Sequence, residues 1–249
     1  MNVFFVTIGL RDEIEVIKKV RPSHILCSYW YFAKKPMSAF VDTLGYKPEI
    51  LLDSGAYSAH AKNKEININE YMEYIESNQE YIARYISLDV IGNSDLTRKN
   101  YLTMWECGFD PIPVVHYGDA VCDVDFYKPF GVSTIALGNT VCIKDKSVVA
   151  NWCADMHRRY PDMKLHLLGS SSKKILESNA LASCDSSTWY MMAVNGKPKT
   201  ITGRTREDKR LRAEANMLNI MEVFNEIPVS VDNCSVKCFD GKVQPICFV

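Results

Sequence analysis

The chain has 249 residues, 47% of them apolar and 24% charged, with a formal net charge of −1. That is a soluble globular composition, long enough to bury a substantial core as one large α/β domain or two small ones. Near-neutrality gives no global signal for nucleic acid, so such a partner needs positive charge gathered on one face.

The start, Met1-Asn2-Val3-Phe4-Phe5-Val6, lacks the basic region of a signal peptide, and no apolar run approaches a membrane span. Nine cysteines are scattered through the chain. Without a secretory signal they read as reduced thiols of a cytoplasmic protein, the host's cytoplasm if the chain is phage-encoded, with no membrane partner.

Val3 to Ile8 is a continuous apolar run closed by Gly9, the pattern of a buried strand. Asp12 to Val20 has helical spacing at Ile14, Val16, Ile17 and Val20. His24 to Tyr29 is a second strand, Met37 to Leu44 a short helix and Ile50 to Asp53 the third strand. A helix follows over Asn69 to Asn78. Tyr85 to Asp89 is the fourth strand, and a helix from Asp95 to Cys107 is stopped by Gly108.

Pro113 to His116 is the fifth strand, followed by a short helix near Asp123 to Pro129. Thr134 to Leu137, stopping at Gly138-Asn139, is the sixth. After a helix over Ser147 to Tyr160, Leu165 to Leu168 is the seventh, ending at Gly169-Ser170. Lys173 to Ser178 is a short helix, and Ala180 to Cys184 leads into the eighth strand at Asp185 to Thr188. A long helix spans about Arg206 to Asn225.

Eight apolar runs alternating with helical segments predict a (β/α)8 TIM barrel, class α/β. The barrel core takes residues 1–195, and residues 196–249 form a basic helix and a cysteine-containing tail packed on it. No Ser/Gly/Pro-rich linker divides the two. An open doubly wound sheet is the runner-up.

In a barrel the C-terminal ends of the strands face one mouth, where enzymes of this fold keep their sites. Those ends carry Asp53, Asp89, His116, Gly138-Asn139, Gly169-Ser170 and Asp185. Each aspartate alone has a structural alternative as a helix cap, and His116 as a satisfied core histidine. Three aspartates together suggest a divalent metal, although no spaced His pairs support it. Without metal, the same set offers a nucleophile, a proton carrier and an acceptor for a substrate's N–H donors. Asp89 suits the last role, because one carboxylate accepts two N–H groups of a guanine-like edge. Tyr57 offers a flat face for stacking, while Gly138 and Gly169 let a planar ligand approach backbone amides.

Asp53-Ser54-Gly55-Ala56-Tyr57-Ser58 resembles the Asp-Ser-Gly-Gly-aromatic-Gln motif of the tRNA-guanine transglycosylase superfamily. The later strand ends follow that family's order, and the compact length resembles its DNA-modifying phage and bacterial branch. The resemblance implies exchange of guanine in nucleic acid for a 7-deazaguanine such as preQ0, through a covalent aspartyl intermediate. DNA is the implied polymer and tRNA the runner-up, with a helper protein to open the duplex. It further implies Asp185 as nucleophile, Asp53 as general acid/base, and Ser54, Asp89, His116 and Gly138 around the base, with Tyr57 and Leu168–Gly169 against its ring. The chain departs from the motif at Ala56, Ser58 and His116, and Ser-Ser-Thr-Trp follows Asp185.

No cofactor is needed for that chemistry. The family's zinc site has a weak echo in Cys234, Cys238 and Cys247, whose spacing is not that of a standard zinc ribbon. Lys197, Lys199, Arg204, Arg206, Lys209 and Arg210 form a basic segment that reads either as a solvated face or as a phosphate-contacting patch. Trp189 and Tyr190 either wedge the neighbours of a flipped nucleotide or close the barrel. Two other readings stand beside this one. One is a metal-dependent barrel hydrolase using Asp53, Asp89, His116 and Asp185 as ligands; the other is an inactive nucleic-acid-binding module.

Overall fold

A computed structural model of the chain describes residues 1–119, 123–176 and 180–225. Eight strands lie side by side: β1 (Asn2–Thr7), β2 (His24–Ser28), β3 (Glu49–Asp53), β4 (Arg84–Tyr85), β5 (Val114–His116), β6 (Thr134–Gly138), β7 (Lys164–Leu167) and β8 (Ser183–Ser186). All pairings are parallel, in the order β4-β3-β2-β1-β8-β7-β6-β5. The two ends meet through a parallel bridge between Ile86 and Ile112, with Ser87 N–H donating to Ile112 C=O at 2.8 Å. The sheet is therefore the barrel that the alternation of strands and helices predicts.

Around it run α1 (Arg11–Val20), α2 (Tyr29–Phe32), α3 (Met37–Leu44), α4 (Ala56–His60), α5 (Ile68–Ser77) and α6 (Ser94–Glu106). Then come α7 (Asp123–Tyr127) with a 3-10 turn at Lys128–Phe130, α8 (Lys146–Arg159), α9 (Lys173–Leu176), α10 (Thr188–Val194) and α11 (Arg206–Phe224). No helix among the described residues is long and apolar enough to cross a membrane. The five cysteines among those residues are free thiols. Cys234, Cys238 and Cys247 lie outside the described residues.

The core has two layers, and strand periodicity builds both. Phe4, Leu26, Leu51, Val114 and Ala136 point into the barrel. Their chain neighbours Val3, Phe5, Ile25, Cys27, Ile50, Leu52, Val115 and Leu137 point outward against the helices. The same parity carries the inward row one step further along each strand, to Ser28, Asp53, His116 and Gly138. On β7 it turns His166 inward between the outward Leu165 and Leu167, so that its ring packs edge-on against Phe4 at 5.7 Å. On β8 it turns Asp185 inward. The carboxylates of the inward row thus gather at the C-terminal end, while His24, Arg84 and Thr134 close the opposite end, with Arg84 donating to Thr134 Oγ1 at 3.1 Å.

Three short helices that apolar spacing does not predict, α2, α4 and α10, follow strand ends directly. They crowd the mouth. At Gly55 the backbone is left-handed (φ 82°) and an added Cβ would stand 2.5 Å from Trp30 Cβ, so α4 begins where only glycine fits. Trp189 is fully buried and its indole N–H donates to Val6 C=O at 3.0 Å, so α10 closes this end of the barrel. Of the two roles offered for Trp189, wedging a flipped nucleotide is not available to it.

Candidate active site

A cavity of about 390 Å3 opens at the C-terminal mouth. Its walls are apolar and aromatic, with Val6, Leu26, Leu168, Tyr31, Tyr57 and Tyr190 among them, and four carboxylates reach it: Glu13, Asp53, Asp89 and Asp185. Tyr57 stands at the rim, 50% exposed. Among the described residues no lysine, arginine or histidine lines the cavity.

Asp53 ends β3 beside Ser28, its register partner on β2. Its Oδ2 accepts from Gly55 N–H at 2.9 Å. Burial, then the neighbouring charges of Asp89 and Asp185, push its carboxyl up to about 7, against the smaller opposing effects of that hydrogen bond and of the Ser28 hydroxyl. A carboxylic acid that exchanges its proton near neutral pH is suited to general acid–base work.

Asp185 is only 4% exposed. Gly169 N–H lies 3.0 Å from both of its oxygens, and His166 Nε2 is 3.2 Å from Oδ1. Behind it, His166 Nδ1 meets Ser183 Oγ at 2.8 Å. Ser183, His166 and Asp185 thus form a chain that fixes the carboxylate's orientation from below. Gly169 is not a free amide for a planar ligand, because its N–H is committed to Asp185.

Asp89 is held just as firmly. Its Oδ1 accepts from Ser54 Oγ at 3.1 Å, and Oδ2 meets His116 Nε2 at 2.9 Å. Ser54 is fully buried and also accepts from Ala56 N–H, so it positions Asp89 rather than touching a ligand. His116, 1% exposed, stands behind Asp89 and does not line the cavity. Burial alone lowers its pKa, but the hydrogen bond and charge of Asp89, joined by Asp119, outweigh it and hold the imidazole above the usual histidine value. Asp119 Oδ2 lies 3.4 Å from His116 Nδ1, an ion-pair separation without a formed hydrogen bond. The open side of Gly138 is filled by the same ring: an added Cβ there would sit 2.8 Å from His116 Cδ2.

Glu13 and His166 belong to the site and escape a reading by strand ends. Glu13 is 4% exposed in the first turn of α1. Its Oε2 gathers the Thr7 hydroxyl at 2.8 Å, Ile8 N–H at 3.0 Å and Leu10 N–H at 3.1 Å. Burial still outweighs these donors and raises its pKa above the ordinary value.

The basic segment separates into two parts. Arg206, Lys209 and Arg210 converge on the buried Asp12 at 2.5, 2.6 and 2.9 Å and dock α11 on α1. Lys197, Lys199 and Arg204 are exposed. A second cleft of about 480 Å3 lies beside α4, with His60 and Lys64 on its wall, and shares Asp89 and Ile91 with the mouth cavity. It reaches only one of the four carboxylates, so the chemistry is placed in the smaller cavity.

No family model and no curated protein matches the chain. Three similar solved structures are barrel enzymes. One is assigned as a fructose-1,6-biphosphate aldolase of Coccidioides immitis (14% identity, 90% of this chain and 89% of that one, TM-score 0.57). A second is the YdjI aldolase of Escherichia coli K12 (12%, 90% of each chain, 0.52). The third is the N-acetylneuraminate lyase of Mycoplasma synoviae (11%, 90% and 79%, 0.51). At these identities the likeness establishes the fold.

These findings overturn the expected membership in the tRNA-guanine transglycosylase superfamily. The glycosyltransferase reaction and the 7-deazaguanine exchange in DNA or tRNA fall with it, because the barrel's counterparts are aldolases and a lyase. The physical reason is that aspartates and small-residue turns recur at the strand ends of barrels of many activities, so their order reports the architecture. Ser54, His116 and Gly169, which the resemblance set around a base, are occupied with Asp89 and Asp185. Among the described residues no three His, Cys, Asp or Glu side chains come together as a metal-binding group. An inactive nucleic-acid-binding module finds no counterpart in these comparisons.

Proposed function

We propose that the protein is an acid–base enzyme of lyase type acting on a small molecule in the mouth cavity. Asp53 is the proton carrier, and Asp185 and Asp89 hold the substrate's N–H or O–H donors. The observation that carries this reading is the carboxyl of Asp53, raised to about 7 between two other fixed carboxylates at the catalytic end of a barrel. The aldolases and the lyase that share the fold support the reaction class, and the residues of this chain supply the roles.

In its ionised form Asp53 takes a proton from a substrate hydroxyl or carbon acid. The electron pair released breaks the adjacent bond and moves into an electron-poor group on the substrate. The protonated Asp53 then returns its proton to the new carbanionic centre. No lysine among the described residues lines the cavity to form an iminium, so in this reading the electron-poor group belongs to the substrate.

The test is solvent hydrogen exchange. A panel of small carbonyl and imine compounds is incubated with the protein in heavy water and followed by NMR for exchange or cleavage. The expected active compound loses at least about 100-fold in rate with Asp53→Asn. Its kcat/KM rises with pH and levels above about 7. An Asp53→Asn protein as active as the parent overturns the reading.

A further inference from the structure

The charge around the cavity narrows the substrate class, and this step rests on the acid–base reading just given. Four carboxylates reach the space from four different elements: Glu13 from α1, Asp53 from β3, Asp89 from the segment after β4 and Asp185 from β8. Ordinarily such groups are paired with cations when buried. Here the imidazoles of His116 and His166 stand behind Asp89 and Asp185 rather than in the cavity. Two lysines approach the tyrosine walls without lining the cavity: Lys209, bound to Asp12, has Nζ 5.5 Å from the Tyr190 centroid, and Lys62 has Nζ 5.3 Å from that of Tyr31. Among the described residues the other titratable groups lining the mouth are Tyr31, Tyr57, Tyr190 and Cys142, none of which carries positive charge.

A second observation points the same way. Ser28 lines the cavity at 6% exposure beside Asp53, whose carboxyl its hydroxyl helps to hold down, and its Oγ makes no hydrogen bond of full geometry, which leaves it open to a ligand donor. Aromatic side chains supply flat walls, and the faces of tyrosine rings attract cations.

We propose that the mouth cavity binds a planar organic cation of the amidinium or guanidinium class, its N–H donors on Asp53, Asp185 and Asp89 and its flat body among Tyr31, Tyr57 and Tyr190. The ligand replaces the absent basic side chains. Phosphorylated and carboxylated compounds meet only like charge here.

Binding is coupled to a proton. Asp53 holds one near neutral pH because burial and the charges of Asp89 and Asp185 oppose its ionisation, and an incoming cation favours its release. With one proton leaving from a group near 7, affinity rises about tenfold between pH 6 and pH 8 and changes little above that.

Benzamidine, benzamide and benzoate share one shape and carry positive, zero and negative charge, so together they test the proposal on the full chain by titration calorimetry. Benzamidine is expected to bind at least about tenfold more tightly than benzamide, releasing a proton at pH 6.5, with benzoate not binding. Asp53→Asn removes the pH slope. Glu13→Gln, checked for folding by circular dichroism, weakens benzamidine more than benzamide. Equal affinity for benzamidine and benzamide, or any preference for benzoate or phenyl phosphate, overturns the proposal. Because binding is read without turnover, loss of catalysis in the exchange assay bears on the acid–base reading and leaves this result standing.

Discussion

Asp12 and Glu13 are neighbours in the chain, both buried in the first turn of α1, and their carboxyl groups face opposite worlds. Asp12 points to α11, where hydrogen bonds from Lys209, Arg206 and Arg210 overcome burial and hold its pKa at about 2. Glu13 points to the barrel mouth, where hydroxyl and amide donors do not overcome burial and its pKa rises. Asp53 extends the same contrast to about 7. A carboxylate buried with cations fastens two helices together. A carboxylate buried without them is available to exchange a proton or meet a charged ligand.

The sharpest way to break this contrast is to remove ionisation on the uncompensated side. Asp53 has a native pKa of about 7 against an ordinary 3.8, so the folded state holds its proton more tightly than the unfolded state does. Its contribution to stability therefore declines as pH rises from about 4 to about 7 and is flat beyond. Asp53→Asn removes that decline. The variant is expected to be more stable than the parent at pH 8, on the order of 2–4 kcal/mol, with the difference shrinking towards pH 4. Urea unfolding at the two pH values measures it. A variant no more stable at pH 8 than at pH 4, relative to the parent, shows that Asp53 is compensated in solution after all.

How far the sequence foretold this contrast differs between fold and site. Period-two alternation and uninterrupted apolar runs made the eight strands legible, because burial on both faces leaves little room for polar residues. The mouth was legible through Asp53, Asp89 and Asp185, which stand where those runs stop. The partners were not. Ser54 and His116 look like ligand contacts in the chain and turn out to brace Asp89, a relation between different strands that spacing along one strand does not encode. His166 had a usable signal: flanked by two outward leucines, it had to face the barrel interior. Glu13 had none, since an acidic residue in a helix's first turn is common on solvent-facing helices. Arg206, Lys209 and Arg210 announced positive charge but not the buried Asp12 that gathers them.

On the compensated side the largest effect comes from the shared carboxylate. Asp12→Asn leaves three cations facing one another and removes charged hydrogen bonds, with an expected loss of about 2 kcal/mol at pH 7. Because the folded pKa is depressed to about 2, this contribution is present above about 4 and lost as pH falls through about 2. The gap between parent and variant in urea unfolding closes accordingly on acidification. A gap that persists unchanged at pH 2 assigns the effect to packing rather than charge. Activity in the exchange assay is expected to stay with the parent, since Asp12 is outside the cavity.

The cations themselves are redundant, and this redundancy is what most distinguishes the α1–α11 junction from the mouth. The Arg206 side chain is 57% exposed, whereas Lys209 and Arg210 are 30% and 24% exposed on the same carboxylate. Removing Arg206 leaves Asp12 with two partners, and an exposed pair contributes only about 0.5 kcal/mol. Arg206→Ala is therefore expected to shift the urea midpoint slightly at low salt and not at all in about 1 M salt, where the screening length falls to about 3 Å. A loss as large as that of Asp12→Asn would mean that three cations act as one unit, and that the junction tolerates change no better than the carboxylates of the mouth do.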